Sequence, residues 1–172
     1  MPFAVRFLPA LVLCTMLPAL AAEQPTLLGA SKDWVAYQAA TSDGKVCYAL
    51  GKPSAILPRK VARDPIYFIV STWPSRKVQD ELEVVPGYSY KEGEPVFAQV
   101  GGRKTEFFSR NDGSGAAWVK EPADEAALVQ AMRGGSTMTV TGVSKRGTKT
   151  VDTYSLSGLS TALDRTHEAC KK

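Results

Sequence analysis

The alternation of apolar and polar positions is clearest between Ser136 and Leu156. Met138 and Val140 fall on one face, and Thr137, Thr139 and Thr141 on the other. A period of two marks a strand with one buried and one wet face. Lys145-Arg146-Gly147 then separates this strand, Ser136–Ser144, from a returning one, Thr148–Leu156. A glycine between two β-branched runs accepts the positive φ that short hairpin turns need. From Ser157 the period lengthens. Leu159, Ala162, Leu163, Thr166 and Cys170 recur at i, i+3, i+4, i+7 and i+11, one face of a terminal helix with Ser157 as its N-cap.

Upstream, Asp33–Tyr37 has the composition of an edge strand. Thr41–Gly44 is turn chemistry, and Val46–Leu50 is a second strand carrying Cys47. A loop with two prolines runs from Gly51 to Pro58. Ile66–Trp73 is apolar on both faces for much of its length, which predicts a central strand covered above and below; Pro74 ends it. Glu81–Val84 points Leu82 and Val84 inward. Pro95–Val100 and Thr105–Ser109 flank Gly101-Gly102, Asn111-Asp112-Gly113 is a turn, and Ala117–Val119 is a short strand. A helix is predicted over Ala123–Arg133. Pro122 opens it, acidic Asp124 and Glu125 occupy the first turn where the dipole favours them, and Gly134-Gly135 stops it. Many short strands with frequent turn signals predict a mainly β chain. The expected architecture is an antiparallel β-sandwich, favoured over a closed barrel, with one crossover and one C-terminal helix.

Residues 1–22 stand apart from this pattern. Arg6 precedes an apolar run from Phe7 to Leu20 that is too short for a permanent anchor, and Ala19-Leu20-Ala21 is a small-x-small cleavage site. An export signal is therefore expected, cut after Ala21 or Ala22, leaving residues 23–172 as one domain without a stable membrane anchor. The bulky Leu13 before Cys14 argues against a lipoprotein signal. Because Cys14 leaves with this segment, two of the three cysteines remain. In an oxidising compartment Cys47 and Cys170 are most simply a disulfide; two separate buried thiols are the alternative. A bridge closing so long a loop stabilises by roughly 4–5 kcal/mol on the chain-entropy model.

The net charge of +4 is too small and too dispersed to predict nucleic-acid binding. Its one local concentration is Lys145, Arg146 and Lys149 at the hairpin tip. These cations suit an anionic glycan, a lipid headgroup or an acidic partner, or else serve as a solubilising turn that blocks aggregation. Tyr88, Tyr90 and Trp73 are either an exposed aromatic patch or half-buried sandwich residues with wet polar ends. Catalytic chemistry has little to work with. The single His167 lies on the terminal helix beside a cysteine already assigned, and is expected to be a solvated side chain rather than part of a triad. One histidine and two paired cysteines do not supply a zinc site. Asn111-Asp112-Gly113 lacks the further ligands of a calcium loop, and Gly113-Ser114-Gly115 lacks the strand–helix context of a phosphate loop. No catalytic residue, metal or cofactor is predicted, and only an unspecified Ser/Lys arrangement stays open on spacing.

Several segments, taken in order, resemble one family. They are Val46–Leu50, Arg63–Phe68, Gly87-Tyr88, Ala117–Val119 and Ala131–Ser136, followed by Ser144–Thr148, Asp152–Gly158, Ala162–Asp164 and Cys170. Arg146-Gly147-Thr148 with Asp152–Leu156 is the most specific block. The series resembles the invasion-associated locus B family of exported alphaproteobacterial proteins. The resemblance implies a periplasmic or cell-surface protein with an immunoglobulin-like β-sandwich, associated in pathogenic members with host-cell invasion. It carries over no catalytic residues. Some branches of the family have a further cysteine near the position of Tyr37, so their disulfide pattern is not transferred here.

The expected function is that of a non-enzymatic binding protein, periplasmic, outer-membrane-associated or secreted, whose partner is an envelope or host-cell protein. The alternatives are an envelope-housekeeping or chaperone-like factor that captures extended segments at a sheet edge, and a Ser/Lys hydrolase.

Overall fold

A computed structural model describes residues 24–110 and 115–171. The expected export segment with Cys14, the Asn111-Asp112-Gly113 turn and Ser114 lie outside the described residues.

Among the described residues eleven strands form one hydrogen-bonded sheet in which every neighbouring pair is antiparallel. In chain order they are β1 (Thr26–Ser31), β2 (Trp34–Thr41), β3 (Gly44–Gly51), β4 (Ala55–Leu57), β5 (Tyr67–Trp73) and β6 (Val78–Val85). There follow β7 (Val96–Val100), β8 (Arg103–Ser109), β9 (Ala117–Val119), β10 (Thr137–Val143) and β11 (Lys149–Ser155). Two helices interrupt the series, α1 (Pro122–Gly134) between β9 and β10, and α2 (Leu159–Ala169) at the end. Across the sheet the order is β1-β2-β3-β5-β6-β9-β8-β7-β10-β11-β4.

The sheet bends over so that its two halves face each other. Phe68 of β5 shows this directly: its ring meets Trp34 of β2 at 6.4 Å, Phe107 of β8 at 6.2 Å and Tyr154 of β11 at 5.8 Å, each edge-on. Edge-to-face packing suits aromatic quadrupoles. All four rings are almost wholly shielded from solvent. The Trp34 indole N–H donates to the Ser155 carbonyl at 2.9 Å and the Asp33 amide to the Ser157 carbonyl at 3.2 Å, so the start of β2 is joined to the end of β11. The expected antiparallel sandwich is present, with its layers made from the halves of a single sheet. α1 packs on β6 and β8, and α2 on β1, β2 and β3.

The patterned segments behave as the sequence predicts. Met138 and Val140 are buried while Thr137 is exposed. Leu159, Ala162, Leu163 and Thr166 form the buried face of α2. Pro122 opens α1, with Asp124 and Glu125 in its first turn.

Four expectations are corrected. The edge strand is β1, and β2 is interior, with Trp34 fully buried. A register shift between Leu27 and Gly29 breaks the alternation that would have revealed β1. Within the proline-flanked loop, Ala55–Leu57 forms β4, held by β11 alone. On the outer face of β5 Tyr67, Ile69 and Trp73 are only half-buried, with the Lys52 ammonium over the Tyr67 ring and the Arg76 guanidinium over Trp73, cation–π contacts at the surface rather than a covering layer. Finally, the residue capping α2 is Gly158, at φ +93°, and not Ser157. A Cβ at Gly158 would collide with the Ser31 carbonyl, so the chain passes too close to β1 there for any side chain.

Candidate functional site

Cys47 and Cys170 are joined, with Cα atoms 6.0 Å apart and a sequence separation of 123. Cys47 stands on β3 opposite Thr72 of β5, and Cys170 follows α2. The bridge therefore fastens the terminal helix to the interior of the first half of the sheet. Beside it, His167 has a partner that its isolation in sequence concealed. Its Nε2 lies 2.6 Å from Asp80 Oδ1, and both side chains are half-buried. Asp80 adopts a left-handed φ of +61°, inside the segment where β6 departs from regular pairing with β5. His167 is thus a clamp between α2 and β6 rather than a freely solvated side chain.

At the far end of β10 and β11 the hairpin tip behaves as its sequence suggests. Gly147 takes φ +83°, its amide donates to the Ser144 carbonyl at 2.7 Å, and Lys145 and Arg146 are exposed. The tip is also held from the side. The Lys145 amide donates to the Ser89 carbonyl at 2.8 Å, the Lys91 amide to the Val143 carbonyl at 2.8 Å, and Tyr90 bridges Ser144. Tyr88 and Tyr90, edge-on with centroids 5.3 Å apart, consequently lie beneath the tip. Tyr90 is buried, which removes it from any contact surface; Tyr88 is half-buried. Trp73 is elsewhere, its indole N–H donating to Glu81 Oε2 at 3.0 Å. The three aromatics form no common patch.

Under the tip lies a network that sequence reasoning missed. Arg63, from the irregular segment between β4 and β5, reaches inward until its side chain is only 3% exposed. Its two terminal nitrogens donate to the two carboxylate oxygens of Asp152 at 2.6 Å each, the bidentate arrangement for which a guanidinium is shaped. Nε and Nη2 also donate to the Pro86 carbonyl at 2.8 and 2.5 Å. The guanidinium carbon sits 4.9 Å from the centre of the Tyr88 ring, within cation–π range. Burial alone would lower the Arg63 pKa, but the Asp152 carboxylate reverses this and holds it above its ordinary value. The Tyr88 hydroxyl is 2.6 Å from Thr150 Oγ1, which donates on to the Gly142 carbonyl. Burial raises the Tyr88 pKa, with Thr150 and Arg63 opposing. Gly87, at φ +71°, lets the backbone approach Asp64 so closely that a Cβ would strike the Asp64 carbonyl.

These contacts form the floor of a cleft of about 440 Å³, walled by Val61 to Asp64 on one side and by Ser144 to Arg146 on the other. Lys145, Arg146 and Lys149 make no ion pair with any described residue. The arrangement offers positive charge, hydroxyl groups and a little apolar surface over a fixed base. Among the described residues no three His, Cys, Asp or Glu side chains gather as metal ligands. No hydrogen bond among them joins a serine hydroxyl to a lysine amine, and no described helix is long and apolar enough to cross a membrane. The missed residues left one trace in sequence, the Arg63-Asp64-Pro65 step into an apolar strand, which carries no hint of a partner 89 residues away.

No curated protein and no solved structure is similar enough to match the chain. The family model described as invasion associated locus B (IalB) protein matches residues 34–167, from the first residue of β2 to the clamp histidine of α2. The core strands, the buried Arg63–Asp152 pair and the hairpin tip all lie within that span, and the chain belongs to the invasion associated locus B family.

Proposed function

We propose that this chain is an exported, non-enzymatic binding protein that meets an envelope or host-cell protein through the end of the sheet bearing Lys145, Arg146 and Lys149. Membership of an invasion-associated family supports the general class. The observation that carries the reading is that two uncompensated cations, Lys145 and Arg146, border a cleft whose floor is fixed by a buried ion pair. Surface lysines and arginines that serve only solubility need no such support. Charge held in place on a fixed base steers an oppositely charged partner and sets its orientation. The Cys47–Cys170 bridge suits an oxidising compartment, which agrees with the expected export. The test is affinity capture from periplasmic and outer-membrane extracts on the oxidised protein. Recovery of a specific protein supports the reading; recovery of nothing, by oxidised and reduced protein alike, overturns it.

One observation favours the chaperone-like alternative. β1 ends the sheet with an unpaired outer edge among the described strands, and Leu27 on it is 59% exposed. Strand addition there would protect β1 amides from exchange only in the presence of an extended client peptide, whereas docking at the cationic end would leave β1 unchanged.

A further inference from the structure

We infer that the hairpin tip is one wall of a two-walled site, and that the site takes an extended acidic polypeptide segment with apolar side chains between its carboxylates. This rests on the reading above that the partner is a protein, and it names that partner's chemistry. The second wall is the segment leaving β4. Leu57 of β4 is opposite Val151 of β11, and because the strands run antiparallel the chain beyond Leu57 advances beside Lys149 and toward the tip. It places Val61 across the cleft from Arg146. Arg59 and Lys60 on this segment are exposed and, like the three cations of the tip, pair with no described residue. Leu57 is 52% and Val61 41% exposed. Two of the four large apolar side chains exposed among the described residues thus flank Arg59 and Lys60 in the chain, and one of them, Val61, shares the cleft with Lys145 and Arg146.

A turn that serves only to block aggregation gains from cations and loses from exposed leucine and valine. A binding surface uses both, apolar anchors for affinity and charge for register. Shape decides between the candidate anions. Lys145, Arg146 and Val61 border a recess of about 440 Å³, which accepts protruding side chains, whereas docking on a bilayer calls for a convex or flat amphipathic face. The floor does not compete for the ligand, since every nitrogen of the Arg63 guanidinium already donates within the protein. Asp64 is the exception in sign: it is exposed, lines the same cleft, and repels an acidic ligand. Its removal should therefore strengthen binding.

The experiment is fluorescence anisotropy with the oxidised protein and a labelled peptide of alternating glutamate and leucine. Its glutamine–leucine counterpart and phosphatidylglycerol vesicles serve as rivals. The glutamate peptide is expected to bind at least tenfold more tightly than the glutamine peptide. Lys145→Glu with Arg146→Glu should weaken it tenfold or more, Val61→Ser should weaken it several-fold, and Asp64→Asn should tighten it. All four positions are exposed, and circular dichroism checks that each variant keeps its fold. Equal binding of the two peptides, indifference to all the variants, or binding of vesicles in place of the peptide overturns the inference. Envelope capture separates the two claims. If wild type retains a protein that the charge-reversed tip releases, while the glutamate peptide binds no better than its glutamine counterpart, only this inference fails. If wild type retains nothing, the proposed function itself fails.

Discussion

Arg63 and Asp152 bury a full positive and a full negative charge, with side chains 3% and 2% exposed. Such a pair gives little net stability, because desolvation offsets much of the attraction, yet removal of one partner strands the other. Asp152→Ala is therefore expected to cost about 3–5 kcal/mol, read as a lower urea midpoint at unchanged slope. Replacing both residues with apolar ones should recover most of that loss. A loss confined to one or two tenths of a kcal/mol, below the roughly 0.5 kcal/mol of an ordinary surface change, would show that the pair is solvated in solution. Glu83, half-buried on β6, is the opposite case. Burial first, and then repulsion from Glu81, raises its pKa above the ordinary carboxylate value. The folded state thus holds this proton more tightly than the unfolded chain, so the contribution favours folding at low pH and fades as pH rises through the raised value. Glu83→Gln should accordingly be more stable than wild type at pH 7, with the gap narrowing as pH falls toward 4. Thermal melts across that range measure it, and a gap that widens on acidification would contradict the assignment.

Single elements differ in how plainly their sequence announces them. β10, β11 and α2 were legible because one face of each meets the core at a regular period and a glycine-bearing turn separates the strands. β1 and β4 were not. Each is an edge strand held by one neighbour, one broken by the shift at Gly29 and the other only three residues long, so neither shows a sustained alternation. α2 depends on its attachments at both ends, Gly158 against β1 and Cys170 bonded to Cys47. Cys47→Ser with Cys170→Ser is expected to lose about 4 kcal/mol on the chain-entropy account of a loop this long, lowering Tm by roughly 10 °C. Calorimetry of oxidised and substituted protein decides. An unchanged Tm would mean that packing alone holds the helix.

At the scale of the whole molecule, Cys47 and Cys170 could be paired from sequence because the expected loss of Cys14 leaves each no other partner. Polar partners carry no comparable mark. Arg63 finds Asp152 across 89 residues and His167 finds Asp80 across 87, and both pairs exist only because the sheet bends over itself. The tip cations were visible as a cluster; the opposite wall of their cleft, Val61 to Asp64, is irregular chain that no hydrophobic period marks. The outcome is a single sheet folded into two layers, tied at one end by the disulfide and the His167–Asp80 clamp, with unpaired cations of the hairpin tip bordering a cleft whose floor is a buried ion pair. That division, one part fixed for stability and another charged and open, is what the functional account depends on. Its most direct test is the affinity of the captured envelope or host protein across ionic strength, for wild type and for the Lys145→Glu, Arg146→Glu variant. The account predicts affinity that falls steeply as salt rises, as screening demands of exposed charges, and a variant that binds weakly with little salt dependence left. Affinity indifferent to salt and equal in the two proteins would contradict it.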